Sequence, residues 1–257
     1  MDLQIVKNEE VAPGFFRMAF LAPDLLKKGR PGQFVMLRGN WEDDPLLRRP
    51  FSVYRYHPNR DFIEIAYRVV GRGTKLLSGL HRGDRVDVVG PLGNGFLPLV
   101  PNRRYILAAG GIGIAPLMSV AETSQRNIIL IMGGKSEEEV SHIDSDVSEL
   151  GIETIFATED GGRGVCGTTV LALREIVTRD DIVLACGPRM MLKEIFELSL
   201  ESGFETFVSY EEQMACGIGV CLGCAAKGRE GGYLLTCADG PIFHIADIAW
   251  DDVHRGR

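Results

Sequence analysis

Short apolar and β-branched runs recur through the first hundred residues, and turns rich in glycine, proline and polar residues separate them. Runs of this length are typical of strands, and their close spacing predicts a small antiparallel β-barrel over residues 1–99. The opening segment, 1–10, is predicted as one further strand, and a short helix is predicted at 74–80. The other predicted strands are 34–37, 51–56, 62–70 and 85–89, with turns at 31–32, 57–61, 81–84 and 90–95.

The pattern changes after Pro98 and Pro101, where continuous apolar runs begin to alternate with helical stretches. Such runs are typical of strands buried in a parallel sheet, so residues 100–210 are predicted to form a doubly wound α/β nucleotide-binding domain. Residues 211–257 form a short third segment with a glycine-rich hairpin. The predicted strands are 104–109, 127–132, 153–158 and 181–186, and the predicted helices are 115–124, 137–149, 168–178 and 189–201.

The composition is ordinary for a soluble globular protein, with 45% hydrophobic and 25% charged residues. A formal net charge of −7 supplies no basic surface for nucleic acid. No apolar run approaches the roughly 20 residues of a membrane span, and the first ten residues do not resemble a targeting peptide. We therefore expect a cytoplasmic location, which would keep the cysteine thiols reduced.

Four of the six cysteines lie close together in the third segment, at Cys216, Cys221, Cys224 and Cys237. Their spacing, C-x4-C-x2-C-x12-C, begins like the ligand spacing of plant-type [2Fe–2S] ferredoxins. Glycines between the first three give the loop the backbone freedom to wrap a cluster. A structural zinc site is the main alternative, although zinc usually takes its thiolates from two C-x2-C pairs. A disulfide framework is less favoured, because nothing suggests secretion.

A glycine loop, Gly110-Gly111-Ile112-Gly113, follows the first predicted strand of the α/β domain and opens a helix. Glycines at such a turn let the backbone approach a pyrophosphate, and Pro116 suits the first turn of the helix. The fingerprint is partial, so a simple tight turn remains an alternative. Cys186, Gly187 and Pro188 follow another predicted strand, and they are expected to line the same crevice, because ligands bind beyond the carboxyl ends of the strands. Cys186 alone could equally be a small buried core residue.

The barrel sequence offers candidate anion contacts at Arg49, Ser52, Gly73 and Thr74. Arg49 could donate to a phosphate near the Ser52 hydroxyl, and Gly73 and Thr74 could present amides and a hydroxyl at a helix start. Each signal is weak by itself, because an exposed arginine pair is usually a solvated strand face.

Taken in order, the motifs at 49–52, 110–116 and 186–188 resemble the ferredoxin–NADP reductase superfamily. The segment 211–224, Glu-Glu-Gln-Met-Ala-Cys-Gly-Ile-Gly-Val-Cys-Leu-Gly-Cys, is similar to the electron-transfer subunits of NAD-dependent type B dihydroorotate dehydrogenases. The resemblance covers essentially the whole chain. It implies a multi-domain α+β protein with an antiparallel β-barrel at 1–99, a doubly wound α/β domain at 100–210 and a [2Fe–2S] module at 211–257.

The resemblance also implies FAD on the barrel, NAD(H) as substrate of the second domain and a [2Fe–2S] cluster on the cysteine loop. Electrons would pass between NAD and the FMN of a separate catalytic subunit that interconverts dihydroorotate and orotate, in a heterotetramer of two plus two chains. No catalytic acid or base is required on this chain. The cofactor residues implied are Arg49, Pro50, Phe51, Ser52, Ala66, Tyr67, Arg68, Val69, Gly73 and Thr74 for FAD, Gly110, Gly111, Gly113, Cys186, Gly187 and Pro188 for NAD(H), and Cys216, Cys221, Cys224 and Cys237 for the cluster.

Three further features of the sequence allow more than one interpretation. Glu211 or Glu212 is hypothesised to approach the flavin–nicotinamide pocket. The acidic run after Lys135 and Ser136 could disfavour a 2′-phosphate or simply be a solvated helix start, whereas Lys135 and Ser136 themselves could favour a 2′-phosphate. The cluster module is expected at a partner interface, with apolar residues Ile218, Val220, Leu222 and Ile242 available there, whereas Met214 and Phe243 could belong to its core.

Three alternative functions compete with this interpretation. NAD(P)H–ferredoxin transhydrogenase and sulfide dehydrogenase subunits share the three-part plan, but some replace one cysteine ligand with an acidic residue. A self-contained oxygenase reductase commonly carries a longer ferredoxin-like domain than the roughly 45 residues left here, given typical domain sizes. A zinc-bearing scaffold without catalysis would show neither visible absorption nor NADH oxidation.

Overall fold

The computed structural model describes residues 1–41, 44–123 and 127–250. Its N-terminal part is a closed six-stranded antiparallel barrel with strand order β1-β2-β5-β4-β3-β6. The predicted barrel is therefore confirmed. The strands are β1 (Asp2–Ala12), β2 (Phe15–Leu21), β3 (Phe34–Gly39), β4 (Arg49–His57), β5 (Phe62–Arg68) and β6 (Arg85–Leu92).

Inward-facing residues of all six strands fill the barrel, among them Phe20, Leu37 and Ile63. Two short helices, α1 (Pro23–Lys28) and α2 (Arg72–Ser78), add Leu25 and Leu77 to this core. The prediction at 74–80 located α2 correctly. It missed α1, because a helix of six residues is too short to show a helical period.

The second part is a seven-stranded sheet with the order β10-β9-β8-β7-β11-β12-β15, parallel except for β15 (Ile242–His244) at one edge. Helices cover both faces, and the central strands β7, β8 and β11 are almost completely buried, as their unbroken apolar runs predict. The strands are β7 (Tyr105–Gly110), β8 (Ile128–Gly134), β9 (Glu153–Thr158), β10 (Val165–Cys166), β11 (Ile182–Cys186) and β12 (Glu205–Ser209), and the helices are α3 (Ile114–Ala121), α4 (Glu137–Val140), α5 (Asp144–Leu150), α6 (Thr169–Ile176) and α7 (Arg189–Ser202).

The helix predicted at 137–149 is instead two helices joined by a 3-10 turn at 141–143. The Ser141 hydroxyl donates to the Glu137 carbonyl at 2.7 Å, so a side chain bonds a backbone group at the point where α4 ends. The prediction of one helix was wrong here. Of the helix predicted at 115–124, residue 124 lies outside the described residues.

The C-terminal segment forms a hairpin and then returns to the large sheet. Strands β13 (Ala225–Lys227) and β14 (Tyr233–Leu235) pair with each other, while β15 (Ile242–His244) pairs antiparallel with β12. Phe243, Ile245 and Trp250 pack into the core of the α/β part. The segment predicted as the cluster module therefore also supplies an edge strand to the nucleotide-binding sheet.

The barrel and the α/β part share a buried boundary. Tyr54 of β4 is fully buried in the same apolar cluster as α3, and the Gly32 amide donates to Ser119 of α3 at 3.0 Å. Within the described ranges, no helix combines the length and apolar character that crossing a membrane requires.

Candidate functional site

The cysteine loop folds so that backbone amides point at thiol sulfurs. Cys216 Sγ accepts from the amides of Ile218 and Cys221, each at 3.5 Å, and Cys237 Sγ accepts from the amide of Gly219 at 3.1 Å. Cys224 Sγ and Cys237 Sγ lie 3.2 Å apart. Amide hydrogen bonds of this kind stabilise thiolates and tune the potential of an iron–sulfur cluster, so this donor set fits a thiolate-held cluster.

The two halves of the cysteine set lie in different environments. Hydrogen bonds from the Ile218 and Cys221 amides lower the pKa of Cys216 to about 6. Burial raises the pKa of Cys237 to about 12. Cys221 is exposed at the surface, whereas Cys224 and Cys237 are buried. The loop thus reaches from the protein interior to the surface.

Among the described residues, no three His, Cys, Asp or Glu side chains converge closely enough to hold a single metal ion. A [2Fe–2S] cluster divides four thiolates between two irons and does not require three of them on one ion.

The inner side of the loop packs directly on the barrel. Cys224 and Cys237 share an apolar cluster with Phe34 and Met36 of β3. Gly217 has a φ of +73°, and a Cβ at this position would lie 2.5 Å from Met36 Cγ. Only glycine allows both the backbone conformation and this close approach. The cysteine loop is therefore in contact with the strand that neighbours β4.

The predicted FAD residues lie on β4, β5 and the start of α2. The Arg49 side chain passes over Gly73, where a Cβ would lie 2.5 Å from Arg49 Cζ. Arg49 also donates to the Leu47 carbonyl, and partial burial lowers the pKa of its guanidinium. A cation held against glycine backbone at a helix start fits a phosphate group of a dinucleotide.

Arg49 and Ser52 are three residues apart on one strand, so their side chains leave opposite faces. Arg49 shares its face with Phe51 and Val53, which pack inside the barrel, whereas Ser52 shares its face with Tyr54, which packs against the α/β part. These two side chains were predicted to lie near each other. The alternation of strand faces instead directs them to different portions of an extended ligand.

Two further FAD predictions change in detail. The Thr74 hydroxyl accepts from the amides of Val70 and Gly71 at 3.0 and 3.1 Å and donates to the Gly71 carbonyl at 3.0 Å. It serves the local turn, so the prediction that it faces a ligand anion is corrected. Tyr67 is buried, packs against the Phe51 ring and donates to Asn8 at 3.0 Å, so its side chain belongs to the barrel core.

The nucleotide-domain predictions converge on one cavity of about 520 Å³ at the carboxyl ends of β7, β8 and β11. The glycine loop and the Cys186-Gly187-Pro188 turn form two adjoining walls of this cavity, so they line the same crevice, as the sequence predicted. Cys186 is buried and also lines this cavity, so both interpretations of it hold. The lining residues are Arg68, Gly110, Gly111, Ile112, Gly113, Gly133, Gly134, Lys135, Glu139, Glu159, Thr168, Thr169, Val170, Cys186, Gly187, Pro188, Met190, Met191, Glu194 and Glu211.

Glycines are required where the two walls meet. A Cβ on Gly113 would lie 2.5 Å from the carbonyl carbon of Cys186 and closer still to its oxygen. A Cβ on Gly110 would lie 2.7 Å from Met191 Sδ and 2.9 Å from Pro188 Cδ. The close packing of the two turns leaves a recess with exposed backbone, which suits a pyrophosphate and its attached ribose.

Glu211 and Glu212 are separated by the structure. Glu211 lines the cavity, keeps access to solvent, and has its carboxyl pKa raised because surrounding protein reduces its hydration. Glu212 instead pairs with Arg189. Of the two, Glu211 is therefore the one that lies at the cavity predicted for NAD(H), and its approach to the flavin stays a prediction.

Sequence reasoning missed the acidic wall of the cavity. Glu139 pairs with Arg68 of β5 at 3.3 Å and accepts from the Lys135 amide at 3.0 Å. Glu159 and Glu194 line the same cavity. The acidic run after β8 indicated Glu139, but no local pattern indicated that Arg68 would reach it from the barrel.

Of the four apolar residues expected at a partner interface, three are exposed and one is buried. Ile218, Val220 and Leu222 are 57%, 74% and 62% exposed around the exposed Cys221. Ile242 is buried in the α/β core, so its predicted availability to a partner is wrong. Met214 packs beside the buried cysteines, and Phe243 packs into the α/β core.

Comparison with known proteins yields matches over nearly the whole chain. Residues 211–249 match the family model of the iron–sulfur cluster binding domain of dihydroorotate dehydrogenase B. The dihydroorotate dehydrogenase B (NAD(+)) electron transfer subunit of Desulforamulus reducens is 34% identical over 97% of this chain and 98% of its own.

Two solved structures show the same fold. The NADH-dependent reduced ferredoxin-NADP oxidoreductase, studied for flavin-based electron bifurcation, has a TM-score of 0.85 and 29% identity over 97% of this chain and 90% of that chain. A ferredoxin NADP+ reductase from Neisseria gonorrhoeae with bound FAD and NADP has a TM-score of 0.60 and 19% identity over 79% of this chain and 91% of that chain.

Proposed function

The chain belongs to the electron transfer subunits of NAD-dependent dihydroorotate dehydrogenase B, and from this premise we propose that it carries electrons between a dihydroorotate-oxidising catalytic subunit and NAD. In this function the chain uses FAD, an iron–sulfur cluster and NAD(H). The proposed partner is an FMN-containing catalytic subunit, two copies of each chain form the complex, and the complex is cytoplasmic.

One observation carries the proposal: three candidate sites lie side by side in one unit. The cysteine loop packs on β3, β3 pairs with β4, and β4 carries the residues predicted to hold FAD. Arg68, at the end of β5, lines the cavity predicted to hold NAD(H). This order matches an electron path from nicotinamide through flavin to cluster.

The three groups differ in what they supply when bound: nicotinamide exchanges two electrons as a hydride, the cluster exchanges one electron at a time, and the flavin can do both. The protein contributes position and electrostatics. Arg49 would neutralise the charge of the flavin pyrophosphate, Ser52 on the opposite face of β4 would contact the redox-active portion of the flavin, and the amides around Cys216 and Cys237 would stabilise thiolate charge.

We further propose that the cavity takes NADH in preference to NADPH. Glu139 and Glu159 line it, and the cation Arg68 is already paired with Glu139. A 2′-phosphate would add about two negative charges beside these carboxylates, whereas a ribose hydroxyl can donate a hydrogen bond to one of them.

The apolar rim of the cluster loop is the proposed docking surface for the catalytic subunit. Ile218, Val220 and Leu222 surround the exposed Cys221 and form the part of the loop that faces away from the barrel. A partner seated there would exclude water and bring its own cofactor close to the cluster.

Anaerobic reduction of the purified chain by NADH tests the electron path. We expect bleaching of the flavin absorption followed by the electron paramagnetic resonance signal of a reduced [2Fe–2S] cluster. NADPH at the same concentration should react at least about tenfold more slowly, since one repelled charge contributes over 1 kcal/mol at short range. Zinc in place of iron, or equal rates with both nucleotides, would contradict the respective assignments.

A second function is favoured by the structural similarity to the NADH-dependent reduced ferredoxin-NADP oxidoreductase. In that case a ferredoxin rather than an FMN-containing subunit would exchange electrons with this chain's complex. The four cysteine ligand positions favour the first function, because some of those subunits carry an acidic residue at one of them. Ferredoxin-dependent and orotate-dependent oxidation of NADH, measured side by side, distinguish the two.

A further inference from the structure

A buried charged network joins the barrel to the nucleotide domain, and nothing in the electron path described above uses it. It consists of Arg17, Tyr54 and Arg55 from the barrel and Glu122 and Asp146 from the α/β part, and we call it the interdomain clasp. Four of the five residues are at most 6% exposed. Burying ionised groups is costly unless they are paired, so such a network is a specific feature of the fold.

Asp146 is the centre of the clasp. Its Oδ2 receives Arg17 Nη2 at 2.5 Å and the Tyr54 hydroxyl at 2.8 Å, and its Oδ1 receives Arg55 Nη1 at 3.0 Å. Every one of these donors comes from the barrel. Asp146 itself lies on α5, which belongs to the nucleotide domain.

Arg55 makes a second connection at the same boundary. Its Nε donates to Glu122 Oε1 at 2.6 Å, and Glu122 Oε2 accepts from the Tyr56 amide at 2.9 Å. Glu122 directly follows α3, the helix that begins at the glycine loop. The clasp therefore fixes both the side chains and the backbone of β4 to the nucleotide domain.

The clasp residues lie next to both predicted cofactor sites in the sequence. Tyr54 and Arg55 follow Arg49 and Ser52 on β4, so they lie on the strand predicted to hold FAD. Asp146 lies eleven residues after Lys135 and seven after Glu139, and both of these line the nucleotide cavity. The Arg68–Glu139 pair ties β5 to the same segment.

From this arrangement we propose that the clasp positions the nucleotide cavity against the flavin strand and thereby sets the geometry of hydride transfer. The proposal rests on the proposed function. Asp146 is a positioning residue, because it touches neither the cavity nor the predicted flavin contacts. The cysteine loop is anchored on β3 through Phe34 and Met36, away from the clasp, so in this proposal the clasp governs transfer between nicotinamide and flavin rather than transfer between flavin and cluster.

The substitution Asp146→Asn keeps the shape of the side chain but removes its charge and sets an amide against two arginines. A displacement of about 1 Å between reacting groups can slow a reaction by up to about 100-fold. We expect NADH to reduce the flavin at least about tenfold more slowly in the D146N protein, while the NADH dissociation constant stays within about twofold. The subsequent spectral phase, reduction of the cluster, should keep its rate.

Asp181→Asn is the matched control. Asp181 is also buried, and it accepts from Arg104 Nε at 2.7 Å and Arg104 Nη2 at 2.6 Å, but both residues belong to the nucleotide domain. Its loss should lower stability without slowing flavin reduction. Tyr54→Phe, which removes one hydroxyl from the clasp, supplies a milder variant if D146N does not fold.

The experiment is anaerobic stopped-flow reduction of the holoprotein by NADH, at a series of NADH concentrations, for wild type, D146N, Y54F and D181N. Slow flavin reduction in D146N and Y54F, with unchanged NADH affinity and normal rates in D181N, supports the clasp. Equal slowing in D181N, or wild-type rates in both clasp variants, would overturn it. A wild-type flavin that NADH does not reduce would instead refute the proposed function.

Discussion

The packing of Gly113 against the Cys186 turn gives a prediction whose size follows from the structure. A methyl group at this position would lie 2.5 Å from the Cys186 carbonyl carbon and 2.8 Å from the Gly187 nitrogen, whereas ordinary contacts begin at 3.4 Å. Both neighbours are backbone atoms, so no side-chain rotation relieves the clash. In Gly113→Ala the two walls of the nucleotide cavity must therefore separate by about 1 Å, and a shift of this size can cost up to about 100-fold in rate.

Gly151→Ala is the control, because Gly151 ends α5 outside the cavity, nothing lies within 4 Å of a Cβ there and only the positive φ of 63° opposes the substitution. That strain is on the order of 1 kcal/mol and leaves the walls in place. We expect stopped-flow flavin reduction by NADH to be at least about tenfold slower in Gly113→Ala than in Gly151→Ala, with FAD content unchanged in both. Equal rates in the two variants would refute the role given to this close approach.

Three further predictions test the other parts of the molecule. Arg49→Ala should weaken FAD binding about 10-fold or more, because a charge-assisted hydrogen bond is lost, whereas Arg48→Ala should retain FAD, because the native Arg48 side chain pairs with Asp87. Equilibrium dialysis measures FAD binding in both variants, and full retention in Arg49→Ala would exclude the phosphate contact of Arg49. Cys221→Ser should lose iron and keep FAD, while the exposed Cys166→Ser keeps both, as measured by iron and flavin content; normal iron in Cys221→Ser would contradict the ligand set. Burial and the nearby Arg17 charge lower the pKa of His142 to about 4 from its ordinary 6.5, so the folded protein binds fewer protons than the unfolded chain between these values and loses stability as the pH falls through them. Between about pH 7 and about pH 5, calorimetry should show that the free energy of unfolding falls by about 2 kcal/mol less in His142→Phe than in wild type. Equal falls in the two proteins would show that His142 does not titrate in this way.

Local patterns in the sequence were sufficient to predict the parallel sheet, the position of the nucleotide cavity and the cysteine loop. The unbroken apolar runs that become β7, β8 and β11 indicated a parallel sheet, and the glycine loop at 110–113 indicated where a nucleotide cavity would open. The cysteine spacing indicated one loop, because its first three members are close in sequence. Each of these signals is contained in a short window, and so no knowledge of distant contacts was needed.

What the sequence could not indicate depends on contacts between distant residues. Asp146 meets Tyr54 and Arg55 across more than 90 positions, and charged residues on a helix ordinarily suggest a solvated face. The return of β15 to the edge of the large sheet buries Ile242, which looked available for docking. The Thr74 hydroxyl looked free for a ligand because its local turn contacts depend on backbone geometry.

The central claim is electron transfer between NAD and a dihydroorotate-oxidising partner, and one measurement tests it most directly. The chain is purified from its native host together with its bound partner, and orotate-dependent oxidation of NADH is assayed anaerobically. We predict activity that co-purifies with an FMN-containing subunit and disappears when the Cys221→Ser chain replaces the wild type. NADH oxidation with artificial acceptors or ferredoxin, but none with orotate, would contradict the claim and assign the chain to another electron-carrying complex.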